Sequence, residues 1–229
     1  IIHIYIGTEA TDEAKLALYK KEMTPNEAYE ALSLCDKHGI ITETSMILGT
    51  PEETKESIKR TLDLAIDYNP DFCHFLAIAP WPYADIYKQL EPYIEVKDYK
   101  KYNLIDPIVK PENMTLEEVD TAIIEGYRVF YMNKFKQIKN LKDAFKKEYI
   151  IEATKRIMQN SFIVNKLGNL EGAIPDEVKK EMAELGLEKD DIQDTESETE
   201  IKLGPDGCPI SKFKRKIFKI KKKVYSKIN

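Results

Sequence analysis

The chain has 229 residues, a net charge of −5 and an apolar fraction of 42%, which suits one large folded domain with a tail. No apolar run reaches the roughly 20 residues that span a bilayer, and no basic stretch precedes a signal-type apolar core, so the expected location is cytoplasmic. The acidic balance argues against a nucleic-acid partner.

The first residues, Ile1-Ile-His-Ile-Tyr-Ile6, are rich in β-branched side chains and read as a buried strand. Such a strand needs neighbours on both edges, so the expectation is that the sequence is the C-terminal portion of something longer. Thr24-Pro-Asn-Glu27 predicts a capped helix start, with Pro in the first turn and Glu at the capping-box position. That helix stops at His38-Gly39, with Ala28, Ala31, Leu32 and Leu34 to Cys35 inward. An apolar run from Thr42 then ends on Gly49 and hands over at once to a second helix. Here Thr50 is the expected N-cap, Pro51 the first helical residue and Glu53 the capping-box carboxylate. Ile58, Leu62, Ala65 and Ile66 form its inward face, Asn69-Pro70 ends it, and Phe72 to Ile78 is a third strand.

This is a βαβαβ unit, compatible with a doubly wound sheet or a β/α barrel. Parallel strands would put the Gly49 turn and the rigid aromatic loop Pro80-Trp-Pro-Tyr83 at one face, where the loop either lines a pocket or packs on the domain edge. Thr115 caps a long helix with Leu116, Val119, Ile123, Tyr127 and Phe130 inward, and more helix follows to about Ile163. Residues 171–200 are strongly acidic with almost no aromatics and read as a solvated linker. From Ser211 onward Phe213, Ile217, Ile220, Val224 and Ile228 recur between lysines, which predicts a basic amphipathic helix. That helix could lie on an anionic membrane surface, dock on an acidic partner, or be a solvated tail.

Cys35, Cys73 and Cys208 share no ligand or disulfide spacing, and the first two read as structural thiols. His3, His38 and His74 make no metal pattern, and no catalytic role follows for them. Glu9 should project at the same face as the Gly49 turn, where it could bind a hydroxyl or ammonium group or be an ordinary surface carboxylate. Gly49 lets a ligand approach the backbone, although an ordinary helix start explains the same residues.

Three motifs in order carry a family resemblance. Ser45-Met-Ile-Leu-Gly-Thr-Pro-Glu52 resembles the GxIxGxxE motif of radical S-adenosylmethionine enzymes, with Ser45 replacing the first Gly. Gly7-Thr-Glu9 resembles the GxE element on an earlier barrel strand, and Pro80-Trp-Pro-Tyr83 the aromatic-proline loop after the sixth strand in the cobalamin-binding branch. With Asp98-Tyr-Lys-Lys-Tyr-Asn103 and Pro107-Ile-Val-Lys-Pro111 added, residues 1–135 are similar to anaerobic magnesium-protoporphyrin IX monomethyl ester oxidative cyclases. Cobalamin-dependent methylases share this architecture.

The resemblance implies the C-terminal half of a partial (β/α) TIM barrel over residues 1–110, a helical extension over 111–168, an acidic linker over 169–207 and a basic tail over 208–229. It implies S-adenosylmethionine as cofactor, with the four-iron, four-sulfur cluster and cobalamin held by residues upstream, so that this chain alone should not perform radical chemistry. Glu9 would contact the ribose or amino-acid end, Ile47 would lie against the adenine, Ser45 and Gly49 would set the backbone approach, and Glu52 would brace the turn. Trp81 and Tyr83 would border a small-molecule substrate. The implied reaction is oxidative ring closure on a porphyrin ester side chain. Methyl transfer to an unactivated carbon and a non-catalytic module that binds a membrane or partner are the alternatives.

Overall fold

A computed structural model describes residues 1–10, 13–160, 180, 183 and 184. The predicted acidic linker and basic tail lie outside these residues, apart from Lys180, Ala183 and Glu184, and so does Cys208. The chain divides into two compact units, Ile1–Lys134 and Phe135–Asn229.

The first unit is built on a three-stranded parallel sheet in the order β1-β2-β3, formed by His3–Glu9, Ile41–Leu48 and Phe72–Ala77. Sequential order with helical crossovers is the winding common to a β/α barrel and to one half of a doubly wound sheet. A six-residue helix absent from the sequence reading, α1 (Glu13–Leu18), follows β1. Helix α2 (Pro25–Lys37) begins as expected: Thr24 Oγ1 accepts from the Glu27 N–H at 3.3 Å, and the Glu27 carboxylate accepts from the Thr24 N–H at 2.7 Å. Ala28 and Leu32 are buried as predicted, whereas Leu34 is 58% exposed because it falls on the solvent side of the helix.

The second crossover corrects the sequence reading. Helix α3 runs Lys55–Tyr68 and is capped by Thr54, not Thr50, with Ser57 completing the box. Residues 50–53 form a separate turn, closed by the Glu53 N–H donating to the Thr50 carbonyl at 2.9 Å. The Glu53 side chain is fully buried and engaged elsewhere, so it cannot reach back to a cap at Thr50.

Side chains alternate across the sheet. Thr42, Thr44, Met46 and Leu48 on β2, with Cys73, Phe75 and Ala77 on β3, are fully buried. This face carries the core. Phe75 meets Tyr127 and Phe130 edge-on at 5.4 and 6.2 Å, and both belong to α5 (Leu116–Ile138). Helix α5 has the predicted Thr115 cap and inward Val119, Ile123, Tyr127 and Phe130. The other face is more open: Tyr5 is 53% exposed, and His3, Glu43 and His74 are each partly exposed.

After β3 the chain forms a smaller apolar cluster at the C-terminal strand ends. Ile78, Leu90, Ile94, Tyr102, Ile108 and Val109 are buried there, with Ile47 and Tyr19 packed against them. A four-residue helix, α4 (Tyr87–Leu90), and an isolated antiparallel bridge between Ile94 and Val109 shape this cap. In the second unit, helix α6 (Ala144–Asn160) begins where Asp143 accepts from the Lys146 N–H at 2.9 Å. No helix among the described residues is long and apolar enough to cross a membrane.

Candidate functional site at the strand ends

Glu9, Gly49 and Trp81 stand at or just beyond the C-terminal ends of three neighbouring strands. Each arrives there for a local reason. At the end of β1 the pairing register slips between Gly7 and Glu9, and Glu9 takes a left-handed φ of 62°. The irregularity turns its carboxylate back over the strand, where it lies 3.0 Å from the Lys21 ammonium. A side chain at Gly7 would have its Cβ 2.8 Å from a Glu9 carboxylate oxygen. Gly7 therefore makes room for Glu9, which gives the Gly-Thr-Glu spacing a physical reason, while Thr8 is buried against Thr44 at 2.8 Å.

On β2, Ser45 pairs in register with Gly7 on one side and His74 on the other. Its hydroxyl accepts from the Tyr5 phenol at 2.5 Å. Ile47 is on the same face and packs beneath the cap. Gly49 has a φ of 90°, accessible to glycine at little cost. Its missing Cβ points at Val119 of α5, 3.2 Å away, so the glycine also serves helix packing.

The turn after β2 is braced by a carboxylate, but by Glu53 instead of Glu52. Glu53 accepts from the Gly49 N–H at 3.2 Å and from the Lys15 ammonium of α1 at 2.6 Å, and it also takes the Ser57 hydroxyl. Glu52 is exposed and is not drawn into this network. Thr50 is buried beside it, and its hydroxyl has no hydrogen-bond partner among the described residues.

The aromatic loop leaves β3 as expected. Trp81 and Tyr83 are 37% and 83% exposed, with ring planes 15° apart and centroids 6.2 Å apart. Trp81 leans on Tyr102 at 5.7 Å, and Tyr102 on Tyr99 at 5.0 Å, extending the aromatic row.

Sequence reasoning missed the polar group further down the open face. His3 Nε2 is 2.8 Å from one Glu43 oxygen and His74 Nε2 is 2.5 Å from the other. Hydrogen bonds from His3 first and His74 second, working against burial, pull the Glu43 carboxyl down from 4.5 to about 2. Period-two alternation places Glu43 with Ser45 and Ile47, but only the inter-strand register brings His3 and His74 to it. Among the described residues no group of three His, Cys, Asp or Glu side chains is arranged to hold a metal ion. Cys73 is fully buried in the core, where desolvation raises its thiol pKa.

No protein-family model matches the chain. It is 36% identical over 163 residues to the anaerobic magnesium-protoporphyrin IX monomethyl ester cyclase of Rubrivivax gelatinosus, covering 71% of this chain and 29% of that protein. A protein of the same name from Cereibacter sphaeroides is 39% identical over 134 residues, 58% of this chain and 22% of that protein. An uncharacterized methyltransferase of Pyrococcus horikoshii is 26% identical over 140 residues, 60% of this chain and 30% of that protein. The chain thus spans less than a third of the length of each of these relatives. The cyclase resemblance read from the sequence is borne out by them.

Proposed function

We propose that this chain, a homologue of the anaerobic magnesium-protoporphyrin IX monomethyl ester cyclases, forms the C-terminal half of the β/α barrel of a radical S-adenosylmethionine oxidative cyclase acting on a porphyrin-like substrate. The observation that carries this reading is the combination of one-directional strand winding with three motif-bearing strand ends, Glu9, Gly49 and Trp81, beside an open polar sheet face.

S-adenosylmethionine, when bound, supplies the hydrogen-abstracting chemistry of such enzymes. The residues here suit its binding. Glu9 offers a carboxylate for the ribose hydroxyls or the amino group, while Ser45, buried with its hydroxyl taken by the Tyr5 phenol, sets how closely a ligand approaches the strand. Ile47 offers an apolar flank for the adenine, and the Gly49 turn, which Glu53 holds and Glu52 borders, offers backbone groups. Trp81 and Tyr83 provide flat faces against which a macrocycle can rest. The described residues do not fit an iron–sulfur cluster, and the reading assigns that cluster and cobalamin to the rest of the longer polypeptide.

The test uses the natural polypeptide that carries this chain, purified anaerobically. Glu9→Gln should weaken S-adenosylmethionine binding about tenfold in equilibrium dialysis, the scale of one charged hydrogen bond. Replacing Trp81 and Tyr83 together by Ala should weaken binding of magnesium-protoporphyrin monomethyl ester. Unchanged affinity in both experiments would sink the reading. The Pyrococcus relative favours a second one, methyl transfer, which a product heavier by one methyl group with the ring left open would establish.

A further inference from the structure

Beside the aromatic row lies a recess of about 100 Å³ lined by Tyr87, Glu91, Ile94, Lys97, Tyr99 and Tyr102. Two of its residues, Tyr99 and Tyr102, are the tyrosines of the Asp98-Tyr-Lys-Lys-Tyr-Asn103 stretch. Its chemistry is lopsided toward donors. Three of its lining residues are tyrosines, and Lys97 has no hydrogen bond or ion pair to any described residue. The Tyr87 and Tyr102 phenols are held protonated, above their ordinary range: desolvation raises both, with Glu91 and Tyr99 adding at Tyr87, and Tyr87 and Tyr99 at Tyr102. Protonated phenols and an unpaired ammonium around a small recess make a site for an anionic acceptor group. Glu91 works against this, since its carboxylate takes the Tyr87 hydroxyl and repels a second anion.

The recess starts one ring away from the exposed platform. Tyr102 touches Trp81 on one side and Tyr99 on the other, and it lines the recess itself. A flat molecule lying against Trp81 therefore has as its neighbour a ring that also lines the recess. A flexible arm that passes Tyr102 enters the space that Lys97 also borders.

We propose that this recess takes a free carboxylate arm of the planar substrate that stacks on Trp81 and Tyr83, with Lys97 and the Tyr99 and Tyr102 hydroxyls as its donors. The inference rests on the porphyrin reading and refines it, by making Lys97 a determinant of which acid or ester form binds.

Two probes separate the inference from the reading beneath it. Magnesium-protoporphyrin monomethyl ester keeps one free carboxylate, and its dimethyl ester has none. Both are titrated against the natural polypeptide that carries this chain, purified anaerobically, and followed by the porphyrin absorption band. The monoester should bind about tenfold tighter than the diester. Lys97→Met should abolish that preference by weakening the monoester alone, and Glu91→Gln should tighten the monoester by removing the opposing charge. Lys97 is exposed, so its substitution should leave the fold intact, which circular dichroism checks. Equal wild-type affinity for the two esters, or a preference that survives Lys97→Met, overturns the carboxylate recess and leaves the macrocycle reading standing. If neither ester binds, the macrocycle reading falls and the recess proposal falls with it.

Discussion

Glu43 holds its carboxylate between two imidazoles on the half-open face of the sheet, and this makes the acid limb of stability predictable. Its pKa is depressed on folding, so its contribution is fully present above the unfolded value of 4.5 and is lost as pH falls toward about 2. Glu43→Gln should therefore cost on the order of 2 kcal/mol at pH 6 and flatten the decline between pH 4.5 and 2, measured by thermal unfolding across that range. An unaltered acid limb would show that the two histidines contribute nothing to this carboxylate. Gly49 makes a different demand. Its φ of 90° disfavours any side chain, and an added Cβ would also press on Val119 at 3.2 Å. Gly49→Ala should cost about 1–3 kcal/mol in denaturant unfolding. At this scale the sequence was partly legible. The Gly49 turn is legible because a glycine between a strand and a helix advertises a backbone constraint, and its φ of 90° meets that expectation. Glu53 was misread because a carboxylate three residues after Thr50 satisfies the capping pattern equally well whether or not Lys15 waits for it in the fold.

Helix starts show how far local rules reach. Thr24 and Thr115 cap as predicted because no tertiary partner competes for Glu27 or Glu118 at the box position; Glu118 also meets Lys55 without leaving its cap. At α3 the buried ion pair wins over the local pattern, and the helix starts at the next Thr with a Ser at the third position, Thr54 with Ser57. Breaking that pair from one side should be costly. Lys15→Met leaves a fully buried carboxylate without its cation and should destabilise by about 3–5 kcal/mol, while Lys15→Met with Glu53→Leu should recover much of the loss. Helix α5 sets the opposite kind of constraint, one of space. Gly126 packs so closely on β3 and α3 that a Cβ would lie 2.8 Å from the Phe75 ring and 2.9 Å from Leu62. Gly126→Ala would raise helix stability by about 1 kcal/mol on an exposed surface. Here the overpacking should dominate and lower stability by about 1–3 kcal/mol, with relief when Phe75→Leu is added. Helix α1 escaped prediction because six residues carry too little periodicity to stand out from a loop.

At the scale of the molecule, β1, which reads as a buried strand, is only partly buried, whereas the βαβαβ order and the strand positions were readable, because apolar periodicity and capping act over short distances. The half-open face was not, since its polar character depends on register between strands that are about 30 to 40 residues apart in sequence. That face and the outer edge of β1 are what a longer barrel would use. In the three-stranded sheet β2 is hydrogen-bonded on both sides, whereas β1 pairs with β2 alone. Half of the β1 amides therefore have no sheet partner among the described residues, and edge amides exchange faster than central ones. Native-state hydrogen exchange on this chain should rank β2 as the most protected strand, with alternate amides of His3–Glu9 exchanging fastest. Under the proposed barrel, a preceding strand of a longer polypeptide pairs with that edge, so in that polypeptide those same amides should slow by at least tenfold while β2 changes little. Equal exchange of His3–Glu9 in the two forms would mean that nothing pairs with β1 in the longer protein, and the barrel reading of this sheet would have to be given up.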